Sequence, residues 1–122
     1  MVDRVERGWA GHFICARSCL FRRNALLEKD GVYIVVSSVG SMVIDGELDT
    51  VGSGMYYETM AFFSDENDTR YHDIDVSRQI SFSSEWAISE QDADDRANNM
   101  HEAVVAELAQ KLEEGSLTTA ST

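Results

Sequence analysis

The stretch "SEQDADDRANNMHEAVVAELAQKLEEG", Ser89 to Gly115, decides the fold. Upstream of it, apolar residues alternate with polar ones or run in short β-branched blocks. Within it, the apolar spacing shifts to a period of about 3.6 residues. Ala93, Ala97, Met100, Val104, Leu108 and Leu112 fall on one stripe, flanked by His101 and Val105. Asp92, Asp94 and Asp95 sit in the first turns, where the helix dipole favours carboxylates. Ser89 with Asp92 three residues on resembles a capping box with Asp in the Glu position. Gly115 supplies a stop. The pattern predicts one helix over residues 90–114, then a disordered tail over 116–122.

Everything before the helix reads as strands and turns. "VYIVVSSVG" (Val32–Gly40) is β-branched, aromatic and apolar on both faces, which predicts a central strand. "KDG" before it is a turn signal, and Asp45-Gly46 suits a short hairpin within an otherwise loop-like Ser41–Gly54. "MYYETMAFFS" predicts a strand with Met55, Tyr57, Thr59, Ala61 and Phe63 on one face. Tyr56, Glu58, Met60 and Phe62 take the other face. "DENDTRYHDIDVSR" reads as a long acidic turn and a poor edge strand, and "QISFSSEWAIS" as a last strand. Gly11–Ala16 and the residues from Cys19 onward, joined by "ARS", suit a first hairpin. Strands first and one helix last predict an α+β domain: an antiparallel meander of about five strands with one C-terminal helix on a face. The domain is expected over residues 1–115.

Charge narrows the functional classes. The 122 residues carry a net charge of −12. Residues 1–29 hold six bases and three acids, a local excess of +3, and the other 93 residues hold four bases and 19 acids, an excess of −15. Such a surface disfavours direct nucleic-acid binding. No window is long and apolar enough to cross a bilayer, and the charged N-terminus lacks the apolar core of a signal peptide, so a cytoplasmic location is expected.

Several side-chain groups can carry chemistry. His12, Cys15 and Cys19 form H-x2-C-x3-C, a soft donor set for Zn2+ that needs a fourth ligand, with His72 or His101 available. The alternatives are a disulfide, a pair of buried thiols, or a cysteine nucleophile activated by Arg17, Arg22 and Arg23. "RYHDIDVSR" places His72 beside Asp73 and Asp75, a possible general base or a solvated turn, without the spacing of a calcium loop. No phosphate-binding or dinucleotide motif is present, and no cofactor is expected. The sheet face with Tyr56 and Glu58 is a candidate dimer or partner surface. The carboxylates of Asp92, Asp94, Asp95 and Glu102 on the helix, and of Asp65, Glu66 and Asp68 in the acidic turn, can imitate a phosphate backbone. An ordinary solvated face is the other reading. The arginines of residues 7–27 are expected to pair with the chain's own acids.

The strings "RGWAGHFICARSCLFRRNALLE", "MYYETMAF", "DIDVSRQI", "EWAI" and "NNMHEAVVAELAQKLEEG" together resemble small uncharacterised proteins encoded by bacterial phages, plasmids and other mobile elements. The resemblance covers nearly the whole chain and implies a context, with no catalytic residues to transfer. Small acidic proteins from such elements include inhibitors of host defence, among them anti-CRISPR proteins and DNA mimics. The expectation is therefore a non-enzymatic acidic protein that inhibits a host nucleic-acid-binding or defence protein. The alternative is a small enzyme or metal-binding module centred on His12, Cys15 and Cys19.

Overall fold

The computed structural model describes residues 1–7, 12, 19–51 and 54–117. Strands β1 (Asp3–Arg7), β2 (Cys19–Lys29), β3 (Val32–Ile44), β4 (Glu47–Asp49), β5 (Tyr57–Ser64), β6 (Ile74–Ile80) and β7 (Ala87–Ile88) precede a single helix, α1 (Asp94–Glu113). The strands form one antiparallel sheet in the order β1-β2-β3-β5-β6, with β4 paired to β3 and β7 paired to β5. This is the expected α+β architecture, a meander under one C-terminal helix. No helix of the described chain is long and apolar enough to cross a membrane.

β3 is central, as its two-sided apolar run requires, and it pairs with β2 on one side and β5 on the other. Its two ends are set by Asp-Gly turns. Asp30 and Gly31, and again Asp45 and Gly46, all take positive φ, the geometry of two-residue turns whose twist matches the flanking strands. The second turn makes the expected hairpin, with β3 running on through Ser41–Ile44 into what the sequence suggests is loop. Gly40 is held to hydrogen by a close approach: a Cβ there would lie 2.3 Å from the Tyr57 ring.

The helix stripe packs on the sheet as its spacing dictates. Val104, Val105, Leu108 and Leu112 meet Ala25, Leu27, Ile34, Val36, Ala61 and Phe63 in the main core. Ala93, Ala97 and Met100 meet Phe21, Tyr57 and Ile88 toward the helix start. Thus the expected face of β5, with Tyr57, Ala61 and Phe63, is the one under the helix.

Four local expectations are corrected. Over Asn24–Glu28 the outer partner of β2 is Asp3–Arg7, a strand the sequence reading does not anticipate. The helix begins at Asp94, and Ser89 with Asp92 forms no capping box; Ala93 is the N-cap and has no side-chain cap bond. The residues from Gln79 to Ser89 are not one strand: β6 ends at Ile80, and only Ala87–Ile88 pairs again. The N–H groups of Ser83 and Ser84 go instead to the Glu107 carboxylate on the helix, at 2.8 and 3.1 Å. Finally, Tyr56 precedes β5 and packs against the Phe21–Tyr57–Ile88 cluster, so it does not share a face with Glu58. Apart from His12, the expected strand Gly11–Ala16 lies outside the described residues, as do the "ARS" turn, Cys15, Arg17 and residues 118–122.

Candidate functional site

Three polar constellations arise from this fold. The first is an open cleft of about 670 Å³ at the start of α1, lined by Leu20, Ser41, Leu48, Tyr57 and residues 90–96. Tyr57 builds it from below. Its hydroxyl reaches the Asp94 carboxylate and lies 3.0 Å from the Gln91 carbonyl, while it accepts from Ser41 Oγ at 2.9 Å and from the Ala93 N–H at 3.4 Å. A sheet side chain thus ties down the helix start from outside, through the Asp94 side chain and the Gln91 and Ala93 backbone. Burial and the neighbouring Asp94 push the Tyr57 phenol above its usual range.

Around that hydroxyl the cleft is acidic with an apolar floor. Glu90, Asp92, Asp94 and Asp95 face one cation, Arg96, which is already held by Glu90 at 2.7 Å and Glu85 at 3.3 Å. Asp92 and Asp95 make no ion pair among the described residues. Leu48 belongs both to this cleft and to a neighbouring depression lined by Ile44, Asp45, Glu47 and Asp49. The β3–β4 hairpin therefore extends the acidic rim. Leu20 is 74% exposed on the floor. The sequence reading missed Asp45, Glu47 and Leu20; the acid-flanked Asp-Gly turn is the signal that could have found the first two.

The second constellation is buried between sheet and helix. His101 is fully buried, with Nδ1 2.8 Å from Ser38 Oγ, which also bonds Thr59 Oγ1. Burial, reinforced by Arg23, pushes the imidazole down to about 4, so it is neutral at pH 7. Above it, Glu102 accepts both guanidinium N–H groups of Arg4 at 2.9 and 2.6 Å and one from Arg23 at 2.8 Å; Glu6 pairs with Arg23. Arg4 first, and then Arg23, hold the Glu102 carboxyl down at about 2 against a smaller opposing effect of burial. Of the arginines in residues 7–27, Arg23 is spent on the chain's own acids as expected, and Arg4, outside that stretch, joins it. Glu102, expected among the partner-facing carboxylates, is one of those acids.

The third lies on the opposite face of the sheet. His12 Nδ1 is 2.8 Å from Ser37 Oγ, and Nε2 is 2.9 Å from Glu58 Oε1. Hydroxyl, imidazole and carboxylate in series have the connectivity of a nucleophile relay. Ser37 is fully buried, however, and the same hydroxyl accepts the backbone N–H of His12 at 3.0 Å. The arrangement is a clamp that pins residue 12 to the sheet. With Val35, Val39 and Phe62 buried there too, the face expected to offer Glu58 to a partner is covered. Adjacent serines of β3, Ser37 and Ser38, thus each hold one histidine, on opposite faces.

The remaining predicted groups are dispersed. Cys19 is buried beside Val39, Met42 and Val51, and the two His12 ring nitrogens are taken by Ser37 and Glu58. His72, at φ 52°, stacks on Tyr33 with ring centres 3.7 Å apart. Asp68 accepts backbone N–H groups of Tyr71, Arg70 and Asp73, which hold its carboxyl below the usual range. Asp65 caps the N–H of Asn67, and Glu66 lies 3.5 Å from Arg78. These turn acids lie at the far end of β5 from the cleft, roughly 25 Å away along eight residues of strand. The structure therefore gathers Asp92, Asp94 and Asp95, and separates them from Asp65, Glu66, Asp68, Glu58 and Glu102. No protein-family model matches the chain, and neither a curated protein nor a solved structure matches it.

Proposed function

We propose that this chain is a non-enzymatic interaction protein that receives a basic segment of a partner protein in the acidic cleft at the start of α1. The partner class that fits is a nucleic-acid-binding protein, whose cationic groove is built to accept spaced anions. The resemblance to phage and plasmid proteins points to a cytoplasmic host defence or nucleic-acid-handling protein as the target, inhibited in the manner of an anti-CRISPR protein or a DNA mimic.

The observation that carries this reading is the charge imbalance of the cleft. Elsewhere, carboxylates such as Glu6, Glu102 and Glu107 are occupied by the chain's own cations or N–H groups. In the cleft, Asp92 and Asp95 carry no ion pair among the described residues, and Asp45 and Glu47 extend the same rim. The exposed Leu20 and the shared Leu48 add an apolar floor, so a cationic segment with an apolar anchor finds complements to both parts.

Affinity capture from nuclease-treated bacterial extract, at low and high salt, tests this reading. The wild-type chain is expected to retain a basic protein that is released between about 50 and 500 mM salt. A chain with Asp92→Lys and Asp95→Lys should not retain it. Retention that ignores salt, or that survives the double charge reversal, would sink the proposal.

A further inference from the structure

The two ring nitrogens of the fully buried His101 have different fates. Nδ1 is engaged by Ser38, whereas Nε2 has no hydrogen-bond partner. It faces Glu6 Oε1 at 3.3 Å, within ion-pair reach but outside hydrogen-bond geometry. If Nδ1–H donates to Ser38, the Nε2 lone pair confronts a carboxylate oxygen, an arrangement that calls for a positive centre between them. Ligand atoms at about 2.0–2.1 Å from a tetrahedral Zn2+ stand about 3.4 Å from one another. The His101–Glu6 separation matches that edge.

We propose that His101 Nε2 and the carboxylates of Glu6 and Glu102 form a binding site for a divalent first-row transition-metal ion, with Zn2+ as the probe of its class. All three ligand atoms already lie within 4.8 Å of one another. Glu6 and Glu102 are half-exposed, with side-chain exposures of 41% and 48%, so each can close the last ångström or so by rotation at the surface. The imidazole nitrogen selects Zn2+ over Mg2+, which demands near-octahedral oxygen coordination. Ser38, backed by Thr59, is the outer partner that orients the ring and can accept the Nδ1–H when Nε2 binds the ion. Three protein ligands leave a fourth position on the solvent side, open to water or to an anionic group of a partner. A bound ion would tie β1 to α1. The site shares no residue with the acidic cleft.

Arg4 and Arg23 compete for the same carboxylates. Two guanidiniums balance two carboxylates, so an entering dication must displace part of their hold. Each carboxylate has about four lone-pair positions, which allows one oxygen to serve both an arginine and a metal. This competition makes an unusual expectation: removing Arg23 should tighten metal binding.

Isothermal titration of the full chain with Zn2+, in a non-chelating buffer with millimolar Mg2+ to suppress scattered surface binding, provides the test. Wild type is expected to bind one Zn2+ per chain with a Kd of about 10 µM or tighter. Glu6→Gln, a change on an exposed edge strand, should weaken binding at least about tenfold, and Arg23→Gln should tighten it about tenfold. Circular dichroism checks that each variant is folded, so the conclusion does not depend on a substitution at the buried His101. Absence of Zn2+ binding in the presence of Mg2+, equal binding by Glu6→Gln, or weaker binding by Arg23→Gln overturns the proposal.

Discussion

Tyr57→Phe is a single-atom test of how this fold starts its helix. The Tyr57 hydroxyl is the common point of contact for Asp94, the Gln91 carbonyl, Ser41 Oγ and the Ala93 N–H. The ring itself is 1% exposed and packs edge-on against Phe21, so Phe retains the apolar contacts. The loss is then polar. A hydrogen bond to a charged carboxylate contributes about 1.5–3 kcal/mol, and a neutral one about 1 kcal/mol. The Ala93 contact at 3.4 Å is weak, and the adjoining cleft admits water that can replace part of the network. A net destabilisation of about 2–3 kcal/mol is expected. Urea unfolding at pH 7, followed by circular dichroism, should show a lower midpoint with an unchanged slope. Amide exchange at residues 94–97 should accelerate more than at residues 104–112, because the first turn loses its anchor. In a double-mutant cycle with Asp94→Asn, part of the loss should be shared between the two changes. A Tyr57→Phe loss below about 0.5 kcal/mol would refute the reasoning, since it would mean that water or the backbone supports the turn equally well.

Three further outcomes follow from packing and charge. Gly40→Ala places a Cβ 2.3 Å from the Tyr57 ring and 3.0 Å from the Tyr56 carbonyl, and should cost about 1–3 kcal/mol by overpacking, measured by thermal unfolding. Leu108→Ala, at a fully buried position of the main core, should cost about 2–5 kcal/mol by the same assay. For Glu107, burial alone would raise the carboxyl, but hydrogen bonds from Ser83 and Ser84 and from Lys111 outweigh it and hold the carboxyl down at about 2. A depressed carboxyl stabilises the fold above its unfolded value and loses that contribution as pH falls from about 4.5 toward 2. Glu107→Gln should therefore flatten the acid limb of the stability profile by roughly 1 kcal/mol after allowance for solvent screening, and parallel profiles for the two proteins would contradict the assignment.

The features legible in the sequence are those carried by short-range pattern. The 3.6-residue stripe from Ala93 to Leu112 is the buried face of α1. The expected strand Val32–Gly40, with its two-sided apolar run, is central, and both Asp-Gly pairs are turns. These succeed because burial of a periodic apolar face is fixed locally by spacing. The missed elements lack such a pattern. β1 is five mostly exposed residues that become a strand because the free edge of β2 supplies hydrogen-bond partners. The alternation Ile80–Phe82–Ser84 mimics a strand, but Glu107 draws the serine N–H groups out of any ladder.

The candidate site divides along the same line. Asp92, Asp94 and Asp95 could be grouped from sequence because a few residues of one chain segment keep them together. Their neighbours Asp45, Glu47 and Leu20 come from elements far away in the chain, and only the folding of the β3–β4 hairpin and β2 toward the helix start brings them there. Glu102 looks equivalent to Asp95 on a helical projection, yet it is bound by Arg4 and Arg23 while Asp95 is not. Ser37 and Ser38, inconspicuous in the strand, each become the partner of a histidine distant in sequence. Composition and periodicity alone determined that this protein is acidic, that it has one amphipathic helix, and that this helix covers an antiparallel sheet. Which carboxylates are neutralised within the chain and which have no ion pair among the described residues was decided by tertiary structure, because hydrogen bonds and ion pairs act over about 3–4 Å and depend on which distant strand arrives within that reach.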